Sequence, residues 1–329
     1  MATQTAAPHP NVLSEETKEV YREAMQIFDE AKVPFLVGGA YAYARYTGIE
    51  RHTKDFDVFV RPEDLDRALE ALARQGWKTE VTFPHWLGKG YCGEDFVDVI
   101  FSSGNGVARV DEEWFEKAVA EEVLGYPTRL IPAEEMIWSK SFIMERERFD
   151  GADVSHVLHA RARDLDWDRL LRRFEPNGGW RVLLAHLTLF GYIYPGDASL
   201  IPTQVIDTLN DRLRRETDHP ASEAKSRLCR GTILSRSQYL IDTHLWGYED
   251  ARLRPVGNMT PAEIDLWTES SAKDGDASQL EMIEKLGDPA GKQRSRTDFL
   301  SSRRLNSLDG AVFSKTAPKI ASRRPNFLG

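Results

Sequence analysis

The chain has 329 residues, of which 41% are hydrophobic, and it carries a formal net charge of −9 at pH 7. A chain of this length and composition can bury one large core and a second, smaller one, so we expect a folded globular protein. Its acidic balance argues against a broad groove for nucleic acid. The two cysteines, Cys92 and Cys229, lie far apart without a CxxC spacing, which argues against a disulfide framework or a zinc site.

No stretch of the sequence predicts a membrane span or an export signal. The longest apolar stretch, Trp180 to Tyr194, is interrupted by Arg181 and His186 and is too short and polar to cross a bilayer. Residues 1–11 lack the basic and apolar regions of a signal peptide. We therefore expect no membrane partner and a cytoplasmic location.

The first elements in chain order lead to a pair of glycines. Ser14 can cap a helix over about residues 15–32, and residues 33–37 predict a short buried strand. Gly38 and Gly39 then open a second helix. Glycines at a strand-to-helix junction let backbone N–H groups approach phosphate, and a helix N-terminus favours an anion. A Gly-Gly pair alone more often marks only a tight turn, so its meaning depends on the acids that follow it.

Two acids follow on the next predicted strand. In residues 53–60, side chains alternate so that Asp55 and Asp57 share one face, with Cα atoms roughly 6.6 Å apart. Such carboxylates can bracket metal ions about 3.5 to 4 Å from each other, the spacing of two-metal phosphoryl chemistry. Without a cation, the pair repels by ~2.5 kcal/mol at an effective dielectric of about 20. Lys54 alternates with the acids and is expected to face away from them.

The remainder of the first half predicts a mixed sheet flanked by helices. Its expected elements are a helix from Leu65 up to Gly76, a strand over 78–82, a strand over 86–91 antiparallel to one over 96–101, and a helix from Asp111 or Glu112 through Val119.

Asp98 is the third acid, and it lies within the apolar run Phe96-Val97-Asp98-Val99-Ile100-Phe101. An unpaired buried carboxylate costs several kcal/mol unless it meets a cation or a hydrogen-bond donor, or takes up a proton. A metal ion is the natural partner for Asp98 here. The alternative is a structural salt bridge for Asp98 and a solvated strand start for Asp55 and Asp57.

From Pro132 onward the pattern changes to helices. The expected segments are 133–148, 150–161, 167–174, 180–192 and 202–217. Asp153, His156 and His159 fit helix packing or capping better than a metal site, because the last position turns away from the first. The aromatic residues between Leu228 and Trp267 are spaced too irregularly to define one face, which favours packing over base stacking.

The C-terminal residues differ in charge from the body of the chain. Between Lys292 and Arg324 there are nine basic residues against Asp298 and Asp309. Such a composition predicts disorder. We therefore divide the chain into a flexible N-terminus (1–13), a catalytic domain (14–131), a mainly helical domain (132–289) and a basic, disordered tail (290–329).

The glycine pair, the segment Arg51-His52-Thr53-Lys54-Asp55-Phe56-Asp57 and the apolar-flanked Asp98 together resemble the nucleotidyltransferase superfamily with the DNA polymerase β type of catalytic fold. Within it, the chain is most similar to the minimal and abortive-infection-toxin nucleotidyltransferases. Their pattern runs Gly-Gly, a helix, then Arg-x-Thr-x-Asp-hydrophobic-Asp. The similarity covers about residues 15–175.

This resemblance implies an α+β fold, in which a mixed β-sheet nucleotidyltransferase core flanked by helices is followed by a mostly helical domain. It implies that Asp55, Asp57 and Asp98 are the catalytic and metal-binding residues and hold two Mg²⁺ ions. Gly38, Gly39, Arg51 and Thr53 would contact the nucleotide.

A later segment extends the resemblance. The toxin-type enzymes carry a Lys after the catalytic sheet and then an Arg-Asp-x-x-Asp-like segment, and here Lys140 precedes Arg148-Phe149-Asp150-Gly151-Ala152-Asp153. The resemblance implies that Lys140 steadies the triphosphate and that Asp150 or Asp153 orients Lys140 or approaches the substrate. Phe149 interrupts the expected Arg-Asp pair. The alternative is an exposed helix with Lys140 and Glu145 solvated and Asp153 as a helix cap.

The function expected from these residues is Mg²⁺-dependent transfer of a nucleoside monophosphate, from a nucleoside triphosphate such as ATP, to a hydroxyl acceptor. The acceptor can be an RNA 3′ end, a protein or a small molecule. One alternative is an inactive nucleotide-binding protein of the same fold or a partner in a toxin-antitoxin pair. Another is an interaction protein whose acids form only salt bridges.

Overall fold

The computed structural model describes residues 13–51, 53, 55–218 and 227–273. The basic tail (290–329), the end of the expected helical domain (274–289) and all but one residue of the N-terminus (1–13) lie outside these ranges. His52 and Lys54 lie outside them as well, so the predicted orientation of Lys54 stays a prediction.

The N-terminal half alternates helices and strands. Its elements are α1 (Glu15–Glu30), β1 (Leu36–Val37), α2 (Gly39–Thr47), β2 (Phe56–Phe59), α3 (Leu65–Arg74), β3 (Lys78–Phe83), β4 (Leu87–Cys92), β5 (Asp95–Ile100), α4 (Glu112–Glu116), β6 (Val119–Val123) and β7 (Tyr126–Leu130). The Ser14 hydroxyl caps α1 by accepting a hydrogen bond of 3.1 Å from the Thr17 backbone N–H, as the sequence predicts.

Seven strands form one sheet in the order β3-β4-β5-β2-β1-β7-β6. The β2/β5 and β1/β7 pairs are parallel and the other neighbours are antiparallel, so the sheet is mixed. Helices α1 and α3 pack against this sheet. The α+β fold class predicted from the sequence is confirmed.

The second half is mostly helical. Its elements are α5 (Ala133–Ser141), α6 (Gly151–Arg161), α7 (Trp167–Phe174), α8 (Trp180–Ile193), α9 (Thr203–Asp218), β8 (Leu228–Cys229), α10 (Gly231–Leu234), α11 (Leu240–His244), β9 (Glu249–Asp250) and α12 (Pro261–Lys273). Buried residues of both halves form one hydrophobic cluster. Among the described residues, no helix is long and apolar enough to cross a membrane.

Two predicted helices are shorter than the sequence suggests. The helix expected through Val119 ends at Glu116, because Val119 begins β6 and a turn with left-handed Leu124 and Gly125 joins it to β7. The helix expected through Arg148 ends at Ser141. Beyond it, backbone N–H groups leave the helical pattern: Met144 donates to the Leu234 carbonyl at 3.0 Å.

Candidate active site

Asp57 and Asp98 lie side by side in the middle of the sheet. They are register partners on the parallel strands β2 and β5, so their side chains point to the same face. Their strand neighbours Val58, Val97 and Val99 are fully buried. The pairing therefore brings together two acids that are 41 positions apart in sequence and aims them at one surface.

Asp55 joins this pair from just outside the sheet. Strand β2 begins at Phe56, so Asp55 precedes the strand. The prediction that Asp55 lies within the strand is therefore wrong. The Thr53 hydroxyl accepts a hydrogen bond of 3.0 Å from the Asp55 backbone N–H and fixes this turn. Asp55, Asp57 and Asp98, here called the acid centre, all line a cleft of about 770 Å³.

Burial and mutual repulsion make the acid centre costly to keep fully ionised. The pKa of Asp57 is raised to about 7, mainly because the carboxyl is withdrawn from water and then because Asp98 and Asp55 are close. Burial also raises the pKa of Asp98, against the opposing effect of Lys89. A cation bound at these oxygens would favour the charged forms of both side chains.

Lys89 is a member of the site that the sequence analysis missed. Its Nζ lies 2.6 Å from Asp98 Oδ1, and the two residues are register partners on β4 and β5. The alternative of a salt bridge for Asp98 thus describes a real contact, although Asp98 also lines the cleft. The signal was available: a two-residue turn at Gly93 and Glu94 fixes the register of this hairpin.

Gly38 and Gly39 lie at the junction of β1 and α2, where the backbone passes close to the acid centre. The Gly38 N–H donates to the Asp57 carbonyl at 2.9 Å. Gly39 has φ +53°, and a Cβ there would lie 1.9 Å from Asp57 Oδ2. A side chain at position 39 is therefore excluded twice, by the left-handed backbone and by the carboxylate.

A second charged group lies beside the acid centre, and we call it the cation network. Its members are Arg51, Lys140, Arg148, Asp150 and Asp153. Lys140 Nζ lies 2.7 Å from an oxygen of Asp150 and 2.7 Å from one of Asp153. Arg148 Nε donates to Asp150 at 2.9 Å, and Arg51 Nη1 donates to Asp153 at 2.9 Å.

Charge in the cation network is well compensated. Burial by itself would raise the pKa of Asp150 and of Asp153, but their Arg and Lys partners outweigh it and leave both pKa values below the ordinary range. Lys140 is only 18% exposed, and Asp153 lies inside α6 rather than at its cap. The alternative of a solvated helix face at Lys140 is therefore wrong.

The structure gathers most, but not all, of the predicted site residues around the cleft. Those that line it are Gly39, Asp55, Asp57, Asp98 and Lys140. Gly38, Thr53 and Asp153 do not line it but hydrogen-bond to Asp57, Asp55 and Lys140, respectively, and Arg51 in turn donates to Asp153. Arg148 lines the cleft too, although the sequence analysis gave it no role.

Residues 232–236, Trp267, Phe83 and Trp86 also line the cleft, and residues 232–236 with Trp267 are here called the C-terminal wall. The Trp267 ring packs edge-on against Phe83 and Trp86, with centroids 5.0 and 5.4 Å away. Glu145 anchors this wall by accepting a hydrogen bond of 2.9 Å from Arg236 Nε. Trp267 therefore packs, as the sequence predicts, and also faces the cleft.

The acid centre fits Mg²⁺ by its chemistry. Carboxylate oxygens are the ligands that this ion prefers, and Asp57 gains most from a nearby cation. Within the described ranges, no three His, Cys, Asp or Glu side chains are already arranged to hold a metal ion. Asp98 Oδ1 is instead engaged by Lys89. His156 pairs with the Tyr43 hydroxyl at 2.7 Å, in line with the predicted packing role of the α6 histidines.

Residues 2–194 match the family described as "Uncharacterised nucleotidyltransferase". No protein of curated function matches the chain in sequence.

Two solved structures illustrate what the fold is similar to. The antibiotic-resistance factor ANT(2″)-Ia shares 16% identity at a TM-score of 0.34, covering 63% of this chain and 95% of its own. An antigenic nucleotidyltransferase-like protein from Paracoccidioides brasiliensis shares 14% identity at a TM-score of 0.35, covering 57% of this chain and 92% of its own.

Proposed function

The chain belongs to the uncharacterised nucleotidyltransferase family, and from that premise we propose that it moves a nucleoside monophosphate from a nucleoside triphosphate to a hydroxyl acceptor with the help of Mg²⁺. The observation that carries this proposal is the register pairing of Asp57 with Asp98 directly beside Gly39. It places two carboxylates next to backbone N–H groups at a helix N-terminus. That is the arrangement needed to receive a metal-bound phosphate chain.

The triphosphate is assigned to the side of the acid centre where Gly39 and Lys140 line the cleft. Backbone N–H groups at the start of α2 can donate to phosphate oxygens, and the helix dipole favours the anion. Lys140 is held by two carboxylates and so keeps its ammonium group in place without needing to reorganise. Arg148 adds positive charge at the same side of the cleft.

Asp55, Asp57 and Asp98 would hold Mg²⁺, two ions in all. In the proposed transfer, the acceptor oxygen would lose its proton to water and bond to the α-phosphorus, while the bond between the α- and β-phosphates breaks and pyrophosphate leaves. Bound Mg²⁺ would lower the pKa of that hydroxyl and neutralise charge on the phosphates. The protein supplies rigid orientation: Asp57 and Asp98 are fixed by the sheet register, and Asp55 by the Thr53 hydrogen bond.

We assign the acceptor to the part of the cleft lined by residues 232–236 and Trp267. This assignment follows because Gly39, Lys140 and Arg148 are assigned to the triphosphate. An RNA 3′ end, a protein hydroxyl and a small-molecule hydroxyl offer the same nucleophile. Only labelling can separate these acceptors, since the chemistry at the acid centre is common to all three.

The proposal is tested by incubating the protein and Mg²⁺ with each α-³²P-labelled nucleotide and a lysate divided into RNA, protein and metabolite fractions. We expect Asp57→Asn and Asp98→Asn to lose transfer by about a thousandfold or more, since each removes a metal ligand. Asp66→Asn, at an exposed position on α3 outside the cleft, is the matched control. Transfer retained by folded Asp57→Asn would disprove the assignment of the acid centre.

A further inference from the structure

Lys89 already provides a cation to the acid centre. Its Nζ lies 2.6 Å from Asp98 Oδ1, and both side chains are mostly buried, with exposed fractions of 19% and 14%. Within the described residues, this is the one ion pair that reaches Asp55, Asp57 or Asp98. The cation that Asp98 needs is thus supplied in part by the chain itself.

The position of Lys89 is set by the backbone and by an aromatic ring. Lys89 and Asp98 are register partners in the β4/β5 hairpin, so the pair follows from strand pairing and does not depend on a flexible loop. The ammonium group also lies 4.2 Å from the centre of the Phe96 ring, a favourable cation–π distance. Lys89 is therefore held at the carboxylate from two directions.

A divalent ion at Asp98 must compete with this ammonium group. Two cations at one carboxylate repel each other, and the repulsion is strong where water is scarce. An incoming metal ion must either share Asp98 with Lys89 or displace Lys89 from Oδ1. Both routes weaken metal binding relative to an acid centre without the lysine.

We propose that Lys89 is a built-in competitor for the metal ion at Asp98, so that the acid centre binds a divalent cation tightly only when a nucleotide is also present. The phosphates of a nucleotide add the negative charge that tips the competition toward the metal. Metal and nucleotide binding then become coupled, each strengthening the other. This inference rests on the proposed metal site and goes beyond it by assigning a role to Lys89.

The test measures binding of Mn²⁺ alone, followed by electron paramagnetic resonance of the free ion at pH 8, without any activity assay. Lys89→Met and Lys89→Gln remove the charge and should lower the Mn²⁺ dissociation constant by about tenfold. Lys89→Arg keeps the charge and should stay within about twofold of the wild type. Unchanged or weaker Mn²⁺ binding in both neutral variants would overturn the proposal.

Two further variants separate local competition from a general effect of charge. Lys78→Met is the matched control, because Lys78 lies on β3, the strand next to β4, and its ammonium group also lies over an aromatic ring, 5.7 Å from the centre of Tyr91, but it pairs across the strands with Tyr91 and not with an acid. It should leave the Mn²⁺ dissociation constant unchanged. In an Asp98→Asn background, Lys89→Met should no longer improve Mn²⁺ binding. An improvement that persists there would contradict competition at Asp98.

A nucleotide analogue that cannot be cleaved between the α- and β-phosphates tests the coupling. It should strengthen Mn²⁺ binding by the wild type more than by Lys89→Met, because the variant has no competitor to overcome. Equal strengthening would overturn the coupling. If the neutral variants are less stable in EDTA, the rise of their melting temperature on adding Mn²⁺ should exceed that of the wild type, and an equal rise counts against the proposal.

Failure of this inference can be told apart from failure of the proposed function. Asp57→Asn should lose Mn²⁺ binding if the acid centre is the metal site, whatever Lys89 does. If Asp57→Asn loses Mn²⁺ binding but the neutral Lys89 variants do not bind Mn²⁺ more tightly than the wild type, only the competition by Lys89 is overturned. Absence of Mn²⁺ binding in every variant, including Lys89→Met with the analogue, overturns both.

Discussion

The acid centre and the cation network lie side by side and use the same kinds of side chain, yet they balance charge in opposite ways. In the cation network, three basic groups hold two carboxylates, and the pKa values of Asp150 and Asp153 are lowered. In the acid centre, three carboxylates meet one lysine, and the pKa of Asp57 is raised to about 7. The charges of the cation network are compensated within the fold, whereas the acid centre keeps more negative than positive charge.

The balance of charge distinguishes a group that stabilises the fold from a neighbouring group that is suited to bind a ligand. Charges that are compensated inside the fold contribute to stability and hold Lys140 in position. Charges left uncompensated cost stability and are retained where a ligand supplies the missing partner. Removing a carboxylate should therefore have opposite effects on stability in the two groups.

The largest expected effect is the loss of stability in Asp153→Asn. This substitution removes the carboxylate that Arg51 and Lys140 share, and breaking a buried ion pair costs on the order of 3–5 kcal/mol. We expect the lower end of this range, because Arg51 is 42% exposed and Lys140 keeps its contact with Asp150. Urea unfolding measures it. Asp164→Asn breaks only the exposed pair with Arg161, 3.5 Å long, and should cost less than about 1 kcal/mol. Equal losses of stability in Asp153→Asn and Asp164→Asn would contradict a special role of the cation network in stability.

The second-largest expected effect is a gain of stability in Asp57→Asn. Asp57→Asn removes a carboxylate whose charged form is disfavoured in the folded protein, so in EDTA at pH 8 it should raise the free energy of unfolding by about 2–4 kcal/mol. The same variant should gain nothing from Mg²⁺. A variant that is less stable than the wild type in EDTA would mean that Asp57 is already compensated.

The pH dependence of stability sharpens the same point. An acid whose pKa is higher in the folded than in the unfolded state holds its proton better when folded, so its contribution is greatest at low pH and falls as pH rises from about 4 to about 7. Glu135, whose pKa is also raised to about 7 by burial, adds a parallel decline. Unfolding of Asp57→Asn in EDTA should show a decline shallower by about 2 kcal/mol over this range. An identical pH profile in both proteins would contradict the raised pKa.

The smallest expected effect is the loss of nucleotidyl transfer in Gly39→Ala. We compare it with Gly48→Ala, because both glycines have a left-handed backbone. In Gly39→Ala the new methyl group meets the Asp57 carboxylate, whereas in Gly48→Ala, with φ +71°, it meets no atom within 4 Å. Both variants carry similar backbone strain of about 1 kcal/mol. Nucleotidyl transfer should fall by about tenfold or more in Gly39→Ala beyond any change in Gly48→Ala. Equal activities would show that backbone approach at Gly39 is not needed.

Much of the fold could be predicted from the sequence, because local signals agreed with the tertiary structure. Ser14 caps its helix, and apolar runs marked the strands that carry Asp57 and Asp98. The β6/β7 hairpin was missed, since Val119-Ala120-Glu121-Glu122-Val123 has the composition of a helix and becomes a strand only by pairing with β7. The end of α5 was also missed, because a distant carbonyl, that of Leu234, takes the Met144 N–H.

The candidate site divides in the same way. The three acids and the glycine pair could be found from spacing, because strands alternate and glycines mark close approach. The segment that contains Arg148 could be found only by resemblance, and the C-terminal wall near Trp267 could not be found, since tertiary packing alone brings it to the cleft. Lys89 is an intermediate case. Its pairing with Asp98 follows from the register of the β4/β5 hairpin, and that register can be predicted only if the exact length of the turn is known.

Calorimetric titration of nucleoside triphosphate into the wild type, Asp57→Asn and Asp66→Asn, with Mg²⁺ and with EDTA, tests the central claim most directly. That claim is that the acid centre lacks a cation which Mg²⁺ and nucleotide together complete. The account predicts binding by the wild type and Asp66→Asn that requires Mg²⁺, and at least tenfold weaker binding by Asp57→Asn. Nucleotide binding of equal strength in EDTA, or undiminished binding by Asp57→Asn in Mg²⁺, would contradict it.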